Sequence, residues 1–146
     1  MTFEESNPTK IFKEMKHDHV CIITNNAEKL MAWYKENLGF GFIQKWTVEA
    51  MPGLQLYYIG RDGFKIEIVG NIPENREKGV NPLENIAVGY NHFAIEVEDI
   101  DALMKELQEK GVQVAAPVMD VPQAGFRASI IADLVGNAIE FIEKIP

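Results

Sequence analysis

The sequence has a single cysteine, Cys21, so no internal disulfide can staple it, and a reducing, cytoplasmic setting is expected. It has no excess of basic residues. Fourteen Lys and Arg stand against 22 Asp and Glu, a formal charge of −8, which excludes the basic stripe a nucleic-acid partner would require and disfavours an anionic membrane surface. It also has no apolar run of transmembrane length and no apolar leader at its start, so neither a membrane span nor a signal segment is expected. What it does contain is ordinary for a soluble globular protein: 146 residues, 47% hydrophobic and 25% charged, enough chain for one domain or for two small modules sharing a core.

The informative feature is an internal repetition. The stretch His17 to Thr24 (HDHVCIIT) has a counterpart in Tyr90 to Val97 (YNHFAIEV), and each carries one interior histidine, His19 and His92. Each is followed by a helical pattern and, much later, by a strand with one glutamate, Glu67 in KIEIV and Glu140 in NAIEFI. Subtracting 19 from 67 and 92 from 140 gives 48 both times, and the copies are offset by 73 residues. That offset exceeds solenoid periods and describes one compact module used twice.

Within the first copy, alternation puts His17, His19, Cys21 and Ile23 on one face of a strand and Asp18, Val20, Ile22 and Thr24 on the other. Asn25 and Asn26 offer caps for a helix from about Ala27 to Leu38, with Leu30, Trp33, Tyr34 and Leu38 as its apolar stripe and Gly39 as its stop. Three strands are expected after it: Phe40 to Thr47, Leu54 to Gly60 and Gly63 to Val69, the last two joined by a turn at Arg61, Asp62 and Gly63. In the second copy Asp99 caps a helix whose stripe is Leu103, Met104 and Leu107, with Asp101–Lys105 and Glu106–Lys110 pairs outside and Gly111 at its end. Val112 to Ala116, Gly125 to Ala132 and Asn137 to Glu143 are its remaining strands, with Pro117 to Gln123 as a bridge.

The expected fold is therefore α+β, two βαβββ modules forming a curled mixed sheet with the helices on its outer face. Residues 1–16 read as an N-terminal extension, 17–70 as the first module, 71–88 as a polar, proline-punctuated linker and 89–146 as the second module. Arg76 and Lys78 in the linker are candidates to meet an anionic substrate, although such charges are ordinarily solvated.

The apolar faces, carrying Val20 and Ile22, then Phe93, Ile95 and Val97, then Ile139 and Phe141, should meet the helices. His19, Glu67, His92 and Glu140 then fall on the opposite faces, toward a concavity. Two imidazoles and two carboxylates there would make a four-ligand site for a divalent ion, and Zn, Ni, Co and Mn all suit that donor set. Without a cation the same four would make two His–Glu pairs of structural character. The repeated inward carboxylate favours the metal, because an unpaired buried ion costs several kcal/mol. Cys21 shares the face of His19 and reads as a small core residue.

These motifs resemble the glyoxalase I, or vicinal-oxygen-chelate, superfamily over nearly all of His17 to Glu143. HDHVCI and YNHFAI open the two modules, FKIEIV and GNAIEF close them, LMAWYKENLGF is similar to the family's helix ending in Leu-Gly-Phe, and Asp133, Gly136 and Asn137 precede the last strand. The resemblance implies a cytoplasmic, metal-dependent lyase or isomerase, expected to be a homodimer, that acts on a small-molecule substrate with vicinal oxygens through an enediolate. His19, Glu67, His92 and Glu140 would be the metal ligands, Glu140 and Glu67 the catalytic carboxylates and Asn71 a substrate-binding residue. Extradiol dioxygenases and fosfomycin-resistance transferases of the same superfamily use two histidines and one glutamate, which would leave Glu67 surplus. Epimerases resemble it too, but usually carry glutamine at the Glu67 place, and metal-free binding or resistance proteins form a further alternative. Two departures stand out. Ile23 occupies the position of the family's glutathione-binding arginine, and the Asp-Pro-Asp-Gly-Asn turn reads Asp133, Leu134, Val135, Gly136, Asn137, which opens the substrate to compounds other than a glutathione hemithioacetal.

Overall fold

A computed structural model describes residues 17–47, 52–70, 92–122 and 124–146. The expected extension, the linker with Arg76 and Lys78, and Asn71 lie outside the described residues.

The chain order is β1 (Val20–Ile23), α1 (Ala27–Leu38), β2 (Gly41–Trp46), β3 (Gln55–Arg61), β4 (Phe64–Gly70), then β5 (His92–Glu96), α2 (Ile100–Glu109), β6 (Val114–Val121), β7 (Phe126–Ala132) and β8 (Ala138–Lys144). Two four-stranded sheets result, ordered β1-β4-β3-β2 and β5-β8-β7-β6. In each, the first strand runs parallel to the last and the other neighbours are antiparallel, the mixed α+β arrangement expected from the repetition.

Local chemistry sets the element ends. The Asn26 side chain accepts from the Lys29 amide at 3.1 Å, and Gly39, at φ 72°, turns the chain so that its own N–H reaches Lys35 O and the Phe40 N–H reaches Tyr34 O. Asp99 caps α2 by accepting from the Ala102 amide at 3.0 Å, and Glu143 of β8 accepts from the Ile100 amide at 3.2 Å. The β3–β4 connection is a two-residue turn, Asp62 and Gly63, both at positive φ, with Arg61 already in the ladder opposite Phe64.

Both helices bury one stripe on the sheets: Leu30, Tyr34 and Leu38 from α1, Ile100, Met104 and Leu107 from α2. Ile22, Ile66, Ile68, Ile131, Ile139 and Phe141 meet them from the sheets, all in a single core cluster. Among the described residues, the shared core and several specific contacts join the two halves of the chain. Phe64 and Phe93 pack as a tilted pair with ring centroids 5.0 Å apart, the Lys110 ammonium donates to Glu36 O at 3.1 Å, and the buried Tyr34 hydroxyl donates to Asp133 at 2.8 Å.

Some expectations shift. Leu103 is only partly buried, and the buried stripe of α2 runs through Ile100, Met104 and Leu107 instead. Asp101 turns to Arg127 of β7, which grips it through two nitrogens at 2.7 and 3.1 Å, rather than to Lys105, whereas the Glu106–Lys110 pair forms at 3.6 Å. The segment expected to bridge after Ala116 is mostly strand, because β6 continues to Val121. Pro117 is tolerated there because β6 is an edge strand and its register shifts between Ala116 and Met119, where no ladder amide is needed. No described helix is long and apolar enough to cross a membrane.

Candidate metal centre

The parallel ladders place the repeated residues. In the first sheet Cys21 lies opposite Glu67, and His19, two residues earlier and just ahead of the ladder, turns its imidazole toward that glutamate. In the second sheet Ala94 lies opposite Glu140, and His92 again stands two residues before it. The outcome is the same contact twice: His19 Nε2 to Glu67 Oε2 at 3.8 Å, and His92 Nε2 to Glu140 Oε2 at 3.8 Å. Burial repeats as well, the glutamate side chains being 18% and 19% exposed and the histidines 31% and 35%. Each pair is thus reachable from solvent but partly desolvated.

A separation of 3.8 Å is too long for a hydrogen bond. Two donors on one tetrahedral zinc ion, each at its usual bond length, lie about 3.3 to 3.6 Å apart, so small side-chain adjustments bring either pair into that range. In element type and in spacing each pair therefore fits half of a divalent ion's shell. The structure brings the four residues together two by two. Among the described residues it gathers no group of three or more His, Cys, Asp or Glu side chains placed to hold one ion, because the pairs lie on different sheets.

Around the first pair the structure adds residues that sequence reasoning missed. Residues 17–19 precede the ladder, so the alternation that put Asp18 on the far face does not apply to them. Asp18 Oδ2 instead lies 2.7 Å from His19 Nδ1 and 3.0 Å from the Lys65 ammonium. The bond to His19, then that to Lys65, hold the Asp18 carboxyl below the usual carboxylate range. Tyr58, opposite Glu67 in the β3–β4 ladder, sets its ring 5.5 Å from that of His19; Trp46 packs on Tyr58 at 4.5 Å, and the Lys65 ammonium lies 4.4 Å from the Tyr58 ring. The signal for Asp18 was the Asp-His dipeptide itself. The repetition could not reveal it, since the second copy has Asn91 and Ala138 at the places of Asp18 and Lys65.

Cys21 is exposed, not a core residue. Partial desolvation, and then the neighbouring Glu67 carboxylate, push its thiol up to about 11, so it stays protonated at neutral pH. The surroundings of Glu140 differ: its ladder neighbours are Ala94 and Ile130, with Ala116 beyond Ile130, all without side-chain polar atoms.

Comparison with known proteins identifies the family and the fold. The model of the Glyoxalase/Bleomycin resistance protein/Dioxygenase superfamily matches residues 16–141. A protein of Bacillus subtilis (strain 168) that carries the name Uncharacterized protein YwkD is 30% identical over 126 residues, covering 86% of this chain and 94% of the relative. The mitochondrial methylmalonyl-CoA epimerase of Mus musculus is 26% identical over 113 residues, 76% of this chain and 61% of that enzyme. Among solved structures, a glyoxalase family protein from Enterococcus faecalis superposes with a TM-score of 0.71 at 23% identity, covering 91% of this chain and 99% of that one, which is a likeness of fold.

Proposed function

Since the chain belongs to the Glyoxalase/Bleomycin resistance protein/Dioxygenase superfamily, we propose that it is a metal-dependent lyase or isomerase of the glyoxalase I type, acting on a small substrate with vicinal oxygens. The observation that supports this most is the identical His–Glu pairing in both sheets, 3.8 Å each time. His19, Glu67, His92 and Glu140 would hold the ion, with Zn, Ni, Co and Mn as candidates. When bound, such an ion supplies Lewis acidity toward two neighbouring substrate oxygens.

The chain's own part is proton transfer. A carboxylate that takes a proton from one carbon and returns it to the next must be able to move, and Glu140, bordered by Ala94 and Ile130, has no polar neighbour in the ladder to restrain it. Glu67 is bordered by Cys21 and Tyr58, with the Asp18–Lys65 pair beside His19, and serves better as the fixed carboxylate. Asn71 is the proposed substrate contact.

The two pairs would meet across two copies of the chain. This would complete the shell and cover Ile23 and Phe42, large apolar side chains 62% and 65% exposed on the first sheet. A monomer with one tightly held ion per chain would exclude such a homodimeric site.

The similarity to the mouse epimerase supports a second reading, in which Glu140 takes the proton from the carbon next to a thioester carbonyl and a second acid, Glu67 or a water, returns one to the opposite face. Assays with a 2-oxoaldehyde hemithioacetal and with a 2-methyl-branched acyl thioester decide between them. In either reading Glu140→Gln keeps its bound metal and loses at least about a hundredfold in turnover, the usual scale of a general base. Full activity in that variant would remove Glu140 from the role.

A further inference from the structure

The side chain of Asp18 is 68% exposed, yet it is not free to wander. Its Oδ2 is shared between His19 Nδ1 at 2.7 Å and Lys65 Nζ at 3.0 Å, so the strand β4 lysine holds from one side the oxygen that the imidazole holds from the other. Lys65 is restrained in turn, with its ammonium 4.4 Å from the Tyr58 ring and that ring 5.5 Å from the His19 ring. A carboxylate only accepts hydrogen bonds, so the hydrogen in the Asp18 contact belongs to Nδ1. A neutral imidazole carries one N–H, which leaves Nε2 as the nitrogen with the lone pair, and Nε2 is the atom that faces Glu67.

We propose that Asp18 and Lys65 are a positioning pair that fixes His19 as its Nδ1–H tautomer and aims the Nε2 lone pair at the ion position it shares with Glu67. This rests on the metal-dependent reading above and assigns to two residues outside the ligand set the task of preparing one ligand before the ion arrives. Orientation of this kind raises ligand basicity and lowers the ordering cost of binding, and its loss typically weakens metal affinity about 10- to 100-fold. Lys65 acts one step removed, by keeping an exposed carboxylate from swinging into water, so its effect is in the same direction and smaller.

The test begins without metal. In chelator-treated protein at pH 8, the side-chain nitrogen NMR signals of His19, assigned with a His19→Gln variant, are expected to report the Nδ1–H form. Asp18→Asn is expected to shift the population toward the Nε2–H form that imidazole favours in water, with Lys65→Met in between. Zinc affinity by competition with a chromogenic chelator should then fall about 10- to 100-fold in Asp18→Asn and less in Lys65→Met. Asp18 is exposed and Lys65 half-buried, so a wild-type melting temperature of each variant verifies folding. Nε2–H at His19 in the wild type, or Asp18→Asn zinc affinity within twofold of wild type, overturns the proposal. If the wild-type protein binds none of Zn, Ni, Co and Mn, it is the metal-dependent reading that fails, while the tautomer measurement still decides the role of Asp18 and Lys65.

Discussion

Replacing Tyr34 with Phe removes one hydroxyl from the centre of the molecule and tests what joins the two halves of the chain. Tyr34 is fully buried on α1, and its hydroxyl donates to Asp133 of the β7–β8 turn at 2.8 Å. Asp133 also receives the Val135 amide at 3.0 Å, the Asn137 amide at 2.8 Å and the Asn137 side chain at 2.8 Å, so Tyr34→Phe leaves it with three donors. The loss is therefore that of one hydrogen bond to a charged acceptor, about 1.5 to 3 kcal/mol, without an orphaned ion. The phenylalanine ring keeps the edge contacts with Trp33 and Phe40, which holds the packing term constant. In urea unfolding the midpoint should drop at unchanged slope, and the melting temperature should fall by about 5 to 10 °C. A second observable is alkaline stability. Burial, and then the Asp133 charge and its hydrogen bond, raise the Tyr34 phenol well above its ordinary value of about 10. Below pH 10 the group is neutral in both states. As pH rises through 10 the unfolded chain ionises first, so the wild type loses stability there until the folded group also ionises, and Tyr34→Phe should remove that part of the slope. A loss below about 0.5 kcal/mol with an unaltered alkaline slope would show that the contact contributes nothing to the joining of the halves.

The remaining predictions concern packing and the ion. Leu107→Ala should cost about 2 to 5 kcal/mol in urea unfolding, because Leu107 is 1% exposed beneath α2, and Leu103→Ala should cost clearly less; equal losses would mean that the buried stripe is misassigned. Gly70→Ala would press its new methyl group onto the Ala27 side chain at the start of α1 and should cost roughly 1 to 3 kcal/mol by overpacking, recovered in part by Ala27→Gly. Exhaustive dialysis against a chelator should lower the melting temperature and added Zn²⁺ should restore it, by about 4 kcal/mol of stability when free zinc is a thousandfold above its dissociation constant. An unchanged melting curve after verified metal removal would contradict an ion held by folded ligands.

Much of the fold was legible because local and global signals coincide in this chain. Helix α1 runs from Ala27 to Leu38 as its cap, stripe and glycine stop require, and alternation sorted Ile22, Ile139 and Phe141 to the helix side correctly. The misreadings arise where a local rule depends on a neighbour not yet known. Pro117 reads as a strand breaker only if its amide is needed, and the edge position of β6 removes that need. Asp101 reads as a partner of Lys105 four residues on, until β7 brings the Arg127 guanidinium within 2.7 Å, and a planar two-nitrogen fork outcompetes a flexible ammonium.

The candidate site was legible in the same measure and for a related reason. A parallel ladder between the first and last strand of a module turns a 48-residue separation into lateral adjacency, and a repeated separation turns into a repeated contact, which is why His19–Glu67 and His92–Glu140 match at 3.8 Å. Repetition finds what both copies share and is blind to what only one copy has. Asp18, Lys65, Tyr58 and Trp46 lie around the first pair, whereas the strand residues beside Glu140 are Ala94 and Ile130, with Ala116 beyond, so among the described residues the two halves are alike in their His–Glu pairs and different in the strand residues that flank the two glutamates. In the proposed function that difference would divide the labour between the two glutamates. A carboxylate beside a restrained, pre-oriented imidazole is suited to hold an ion still, and a carboxylate among methyl groups is suited to move, since no hydrogen bond has to break when it leaves its place. Exchanging the surroundings tests the division. Placing a polar anchor beside Glu140 by Ala94→Asn should reduce turnover while leaving bound metal per chain unchanged, and a variant as fast as wild type would show that freedom of Glu140 is not what the apolar lining provides.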